Sequence, residues 1–191
     1  MIITIARQCG CDALQIGQIL SERYGVPLYT RQTLRDKAES KGMLDQMAEF
    51  FEEKPVDELL LAVTDYSYER KAVNEKFRKA FAQIIEEKDC IIIGRCGNSI
   101  FSSRPDLISV FLHGEIEGRI RHIMEKEHMG YSAAESFVRY TDDCRVTYHR
   151  FYTGLNWGYA PDYDLSIDSV RLGAEESARI IGEYASVVGV R

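Results

Sequence analysis

The run Cys90-Ile91-Ile92-Ile93, set between Asp89 and Gly94, most narrows the folds open to this chain. Four apolar residues with no polar alternation predict a strand covered on both faces, the habit of a central strand in a parallel sheet. Further short apolar runs occur at Ile2-Ile3 with Ile5, at Val26 to Tyr29 and at Leu107 to Leu112, and Tyr163 to Ile167 alternates into a last strand. Between them the apolar residues return at helical spacing. Leu14, Ile16, Ile19 and Leu20 form one such set, and Val73, Phe77, Ala80, Phe81, Ile84 and Ile85 another. Ile116, Ile120, Ile123 and Met124 form a third, and Ala178, Ile181, Ala185 and Val188 a fourth. Five strands alternating with helices predict a three-layer α/β domain around a parallel five-stranded sheet. At 191 residues the chain has the length of one domain.

Helix boundaries follow from local chemistry. Gly25 suits the left-handed end of the first helix. Thr30 reads as the N-cap of a helix running through Leu34 and Ala38 towards Gly42. Asp45 to Lys54 reads as a short helix stopped by Pro55, and Asp57 as the cap of a long helical region. The helix over Glu115 to His128 is ended by Gly130. Ser132 to Glu135 is a capping box that opens another helix. The last helix spans Gly173 to Val188.

The first stretch, MIITIARQCGCDALQIG, is where chemistry is expected. A strand, a tight polar loop and a helix make the local geometry of a phosphate-binding loop, in which backbone N–H groups and the helix dipole meet an anion. Gly10 and Gly17 are its only glycines and no lysine follows either, so the match to G-x-x-x-x-G-K-[ST] is poor. Sheets of this kind bind ligands at the carboxyl ends of their strands, where Arg7 and Arg95 fall. Arg95, in a Gly-Arg-x-Gly loop, is placed to fork onto a phosphate; the alternative is a structural arginine at the core edge. Asp142 and Arg145 share a helix face with Arg139 three residues before Asp142, beside the segment Phe151 to Gly158. That clustering suggests an anion-clamping lid rather than a solvated ion-pair face. Arg119 and Arg121 lie on the helix leading into it.

The net charge of −6 argues against a nucleic-acid polymer as partner, while a small phosphorylated ligand needs only a few local arginines. The chain is 45% hydrophobic and no stretch is apolar enough to span a membrane. With a strand at the N-terminus, no signal peptide is read, and a cytoplasmic location is expected. The five cysteines should then be reduced. Cys9, Cys11 and Cys96 all fall at predicted strand ends, where they could cluster, and Cys90 reads as core; no metal ligand set is assigned.

Over nearly its whole length the chain resembles the cytidylate-kinase-like family of P-loop nucleoside monophosphate kinases. The opening IITIARQCGCDALQIG is similar to that family's strand and phosphate loop, usually of the form ITISRQYGSGGREIG. Gly94-Arg95 resembles the Gly-Arg that contacts the monophosphate. TDDCRVTYHRFYTGLNWG, holding Asp142, Arg145, Tyr148, Tyr152, Thr153, Gly154, Trp157 and Gly158, resembles the lid and the run after it. YDLSIDS resembles the last strand. The resemblance implies ATP and Mg²⁺, a pyrimidine nucleoside monophosphate as acceptor, and the first strand at the sheet's centre. It also implies a helical monophosphate-side insertion over residues 30–88 and a lid over 129–158. Transfer is expected of Arg95, Asp142 and Arg145, with Arg139 added from its place on the same helix face. Donor binding falls to Arg7, Gly10, Cys11, Asp12, Ala13, Leu14, Gln15 and Arg119. The loop departs from the family: Cys11, Asp12 and Ala13 replace Ser-Gly-Gly, Leu14 stands where a cation belongs, and Gln15 lies near the place of a magnesium-binding hydroxyl. Thr30 stands where the family often has an acidic residue. The alternative reading is a catalytically degenerate member serving as a nucleotide-binding or protein-interaction module.

Overall fold

The structure is a computed structural model and describes residues 1–52, 68–85 and 88–189. Five parallel strands form one sheet in the order β2-β3-β1-β4-β5, with β1 at the centre as expected. They are β1 (Ile2–Arg7), β2 (Leu28–Tyr29), β3 (Cys90–Ile93), β4 (Leu107–His113) and β5 (Leu165–Asp168). The described helices are α1 (Ala13–Tyr24), α2 (Arg31–Ser40), α3 (Leu44–Phe51), α4 (Tyr68–Ile84), α5 (Gly97–Ile100), α6 (Ile116–Glu127), α7 (Tyr131–Thr153) and α8 (Ser169–Val187). Register places Ile3 beside Ile91 on one side and Ile108 on the other. The chain leaves β1 towards β2 and β3 on one side and then crosses to β4 on the other. This reversal opens a crevice at the carboxyl end of β1.

Alternate residues of the central strands serve opposite faces. Ile3, Ile5, Ile91, Ile93, Ile108 and Val110 pack under α1 and α8, against Ile16, Leu20, Ala178 and Ile181. Ile2, Cys90 and Ile92 face α2, α3 and α4, against Leu34, Met47, Phe50, Phe81 and Ile84. A third cluster joins Cys9 to Ile120, Ile123, Ala134 and Val138 between the loop, α6 and α7. Both faces of the sheet are covered, which is why its strands carry continuous apolar runs.

Several boundaries are as the sequence predicts. Gly25 is left-handed at φ 64, and Thr30 forms a full capping box with Thr33. Others differ. Gly130, not Ser132, is the N-cap of α7: the Ala134 N–H donates to Gly130 O at 3.0 Å, so the helix starts two residues earlier and Ser132 makes no cap. His128 takes the left-handed position that ends α6, ahead of Gly130. Before the long helix expected from Gly173 there is an extra turn from Ser169, where Asp168 accepts from the Arg171 N–H; Gly173, at φ 79 and ψ 171, is non-helical and divides the two. The short α5 is too brief to read from periodicity. The expected Pro55 break, the Asp57 cap and part of the 30–88 insertion lie outside the described residues.

Phe50 joins the helical side to the site. Its ring contacts Phe77, Phe81, Tyr148 and Tyr152, and its carbonyl accepts from Tyr148 Oη at 2.9 Å and Arg95 Nη1 at 2.5 Å. Phe50→Ala should destabilise the protein by about 3–5 kcal/mol through the cavity it leaves. Chemical denaturation of both proteins measures this.

Candidate active site

The loop after β1 folds back as an arc. Gly10 has φ 84 and Asp12 has φ 47, so the chain turns sharply before α1. A side chain at Gly10 could not be housed, since its Cβ would lie 2.6 Å from the Arg119 carbonyl oxygen. Among the described residues nothing accepts from the amides of Gly10, Cys11, Asp12, Ala13 and Leu14. Five free N–H groups at the start of a 12-residue helix form a nest for an anion.

That nest is fixed from behind by side chains of α6 and α7. Asp142 accepts from the Cys9 N–H at 2.7 Å and from Arg119 Nη1 at 2.5 Å. Arg119, itself buried, also donates to Gly114 O and Cys9 O. Arg145 donates to Arg7 O at 3.2 Å and lies 3.9 Å from Asp142. Asp12 is turned onto His122, whose Nδ1 lies 3.1 Å from its carboxylate and 3.0 Å from Gly10 O. Both partners are acceptors, so Nδ1 carries the proton.

A cleft of about 620 Å³ opens over the loop, a size suited to a nucleotide. Its walls include Arg7 and Gly10 to Leu14, the start of α2 at Thr30 to Gln32, His122 and Lys126 of α6, and Phe137, Tyr140 and Arg145 of α7. Behind Arg7 and Arg145, which border both spaces, lies a chamber of about 30 Å³ walled by Thr4, Arg95, Asn98, Tyr148, His149 and Trp157 among others. Gly94, at φ 74, makes room for Arg7: a Cβ there would collide with its guanidinium.

The structure brings Arg7, Gly10, Cys11, Asp12, Ala13, Leu14 and Arg145 to the cleft. Leu14, where a cation was looked for, is 44% exposed at its mouth. Gln15 faces a separate outer groove with Gln18 and Glu125. Arg119 and Asp142 hold the loop rather than line the cleft. Arg139 is not brought in; it is exposed and paired with Glu135 one turn back. Arg95 is only 4% exposed, with its guanidinium on the Phe50 carbonyl and 4.4 Å over the Tyr148 ring. It is part of the chamber wall. The cysteines do not cluster: Cys9, Cys11 and Cys96 enter three different apolar clusters, and burial pushes the Cys11 and Cys96 thiols up to about 12. Among the described residues no group of three or more His, Cys, Asp or Glu could hold a metal.

Sequence reading missed Thr4, His149, His122 and Lys126. The last two stand four apart on one face of α6, a spacing visible in the sequence once the helix is set against the loop. Lys126 makes no ion pair or hydrogen bond among the described residues. Thr4 and His149 gave no signal beyond one polar residue in an apolar strand and one histidine in a helix.

Comparisons with known proteins give the family and the fold. The model of the cytidylate kinase-like family matches residues 2–171. The chain belongs to that family. Among solved structures, an uncharacterized protein from Eubacterium ventriosum is 24% identical, with 97% of this chain and 98% of that chain covered and a TM-score of 0.72. A shikimate kinase from Bacteroides thetaiotaomicron is 13% identical, with coverage of 97% and 98% and a TM-score of 0.56. A gluconokinase from Sinorhizobium meliloti is 14% identical, with coverage of 97% and 94% and a TM-score of 0.53. These likenesses are of fold. No curated protein matches the sequence. Among the described residues no helix is long and apolar enough to cross a membrane.

Two outcomes follow for the family member's site. Asp142→Asn keeps an acceptor for the Cys9 N–H but leaves the Arg119 guanidinium without its counter-charge, so stability should fall by about 3 kcal/mol in urea melts. Burial lowers the His149 pKa from 6.5 to about 4. The unfolded chain therefore takes up a proton that the folded one refuses. Stability contributed by neutral His149 is full above pH 6.5 and is lost as pH falls towards 4, by about 3 kcal/mol in all. His149→Gln should remove that part of the acid sensitivity, read as a flatter dependence of the denaturation midpoint on pH.

Proposed function

We propose that this protein transfers the terminal phosphoryl group of ATP to a pyrimidine nucleoside monophosphate. The observation that carries the reading is the nest of free amides from Gly10 to Leu14, opening into the same cleft that Arg7 and Arg145 border. Phosphoryl transfer asks a protein for little covalent chemistry; it asks for in-line positioning and neutralised charge. The amides would cradle the donor phosphates, and the guanidinium groups of Arg7 and Arg145, at the border of cleft and chamber, would face the group in transit. Asp142 and Arg119 keep the loop in shape, so the donors need not reorganise when phosphate arrives.

The loop has no lysine, and Leu14 supplies no charge. The missing cation would come from α6, where Lys126 faces the loop across the cleft. Asp12, held by His122, does not oppose the phosphates as a bare carboxylate would. Mg²⁺ fits this setting as an ion carried by the triphosphate with most of its waters, Asp12 being the loop's carboxylate; when bound it would neutralise phosphate charge. The segment 129–158, filled by α7, would act as the lid, and residues 30–88 as the acceptor-side insertion. The cytoplasm is the expected setting for such an enzyme.

An ADP-release assay with ATP, Mg²⁺ and CMP, alongside calorimetric titration of ATP, tests the proposal. ADP formation that depends on CMP is expected. Lys126→Ala should weaken ATP binding about tenfold, the worth of one charge-assisted hydrogen bond. ATP binding without CMP-dependent turnover would favour a nucleotide-binding module, and no ATP binding would remove the phosphate-loop reading.

A further inference from the structure

His122 stands against the loop with one ring nitrogen engaged and the other idle. Nδ1 lies 3.0 Å from Gly10 O and 3.1 Å from the Asp12 carboxylate. Both are acceptors, so the proton sits on Nδ1, and in the neutral ring Nε2 keeps its lone pair. Nε2 has no partner among the described residues and is open to solvent. The side chain is 32% exposed and lines both the donor cleft and the outer groove. A carboxylate on one imidazole nitrogen, with the other bare, orients a histidine nucleophile and steadies the charge it takes on. The cleft offers no better nucleophile in its cysteines or its lysine. Cys9 and Cys11 are buried, and burial pushes both thiols up, Cys11 to about 12. Lys126, as an ammonium, offers donors and no lone pair. The Thr30 hydroxyl is taken up as the cap of α2, accepting from the Thr33 N–H.

We propose that His122 Nε2 is a phosphorylation site, taking the terminal phosphoryl group of a nucleoside triphosphate seated on the amide nest. This site rests on the donor half of the phosphotransferase reading and adds a covalent product that direct transfer does not need. Reach comes from the hydrogen bond to Gly10 O. It sets the ring against the first residue of the nest, so a phosphate on the amides of Gly10 to Leu14 has Nε2 beside it. The chemistry balances without a further reactant. The Nε2 lone pair forms the bond to phosphorus as the bond from phosphorus to the bridging oxygen breaks. That bonding pair leaves on the nucleoside diphosphate. No proton has to move, since Nε2 carries none. The ring takes on positive charge, and the Asp12 carboxylate at Nδ1 offsets it. The oxygens of the new phosphoryl group meet the same amides, and Lys126 lies one turn along α6, so the groups that would hold the donor would also hold the product.

The test is incubation of the full chain with Mg²⁺ and ATP labelled in its terminal phosphate, with no acceptor present. The wild type should take up a single phosphate per chain, stable to alkali and lost in acid, as a phosphorus–nitrogen bond is. Phosphorus-31 spectra should show the Nε2 isomer, and mass spectrometry should place it on His122. His122→Gln, whose carboxamide can still donate to Asp12, should lose the label. Asp12→Asn, which leaves a neutral acceptor at Nδ1, should slow labelling about tenfold. If the glutamine variant folds poorly, the isomer found in the wild type decides alone, since a merely structural histidine puts phosphate on neither nitrogen. Label on Nδ1, on Asp12 or on any other residue overturns the proposal, as does label kept by His122→Gln. No label in a wild type that forms ADP with CMP overturns it and spares the phosphotransferase reading. Label on His122 Nε2 in a protein that passes nothing to CMP upholds it and removes that reading instead.

Discussion

One carboxylate fixes the business end of this molecule. Asp142, carried by α7, reaches the carboxyl end of the central strand and accepts from the Cys9 N–H and from Arg119. Arg145, one turn further on, ties the same helix to the Arg7 carbonyl. The phosphate loop, α6 and α7 are thereby locked into one unit before any ligand arrives. Burying Arg119 would be costly without Asp142, and Asp142 would be costly without its two donors; each is tolerable only because the other is there. Catalysis by preorganised dipoles depends on such rigidity, since donors that must first rearrange lose their advantage.

This lock explains how the loop tolerates its unusual residues. A glycine-rich loop is free to wrap a phosphate because it has no side chains to place. Here Cys11 and Ala13 have side chains, but both are buried in the cluster under α1 and α8, and Ser169 donates to the Cys11 carbonyl from behind. Only Gly10 must stay bare, because the backbone of Arg119 presses against it. The arc and its outward N–H groups survive because the side chains point into the core, not because the chain lacks them.

The sheet was legible because β3 is an uninterrupted apolar run, β1 and β4 are apolar but for one hydroxyl each among their buried residues, and the helices between have their own period; those patterns report burial directly. The site was legible only in part. Arg7, Arg145 and the loop could be placed from their position after a strand or on a helix face. Long side chains were harder, since their heads lie several ångströms from the backbone the pattern describes. Arg139 shares a face with Asp142 yet is drawn back to Glu135, and Arg95 follows a strand as a ligand arginine would, yet lies on the Tyr148 ring. The three cysteines at strand ends diverge because residues there can turn to either face of a sheet. Thr4 was illegible because a hydroxyl among isoleucines looks like a tolerated exception until the space beside it is seen.

The same geometry bears on where the chain keeps its positive charge. In a loop with its own lysine, donor binding and loop conformation are one property. Here Leu14 is neutral, and Lys126, the lysine facing the loop across the cleft, belongs to α6, which packs on α7 through Ile120, Ile123, Ala134 and Val138. In the proposed function, donor affinity therefore depends on the packing of two helices outside the loop. Those helices carry Asp142, Arg145 and His149 as well, so the elements that would hold the donor also shape the chamber behind Arg7 and Arg145. A shift of α7 away from β1 would loosen the loop amide, the Arg7 carbonyl and the chamber wall together, so in the proposed function donor and acceptor would be coupled through one helix rather than through the loop.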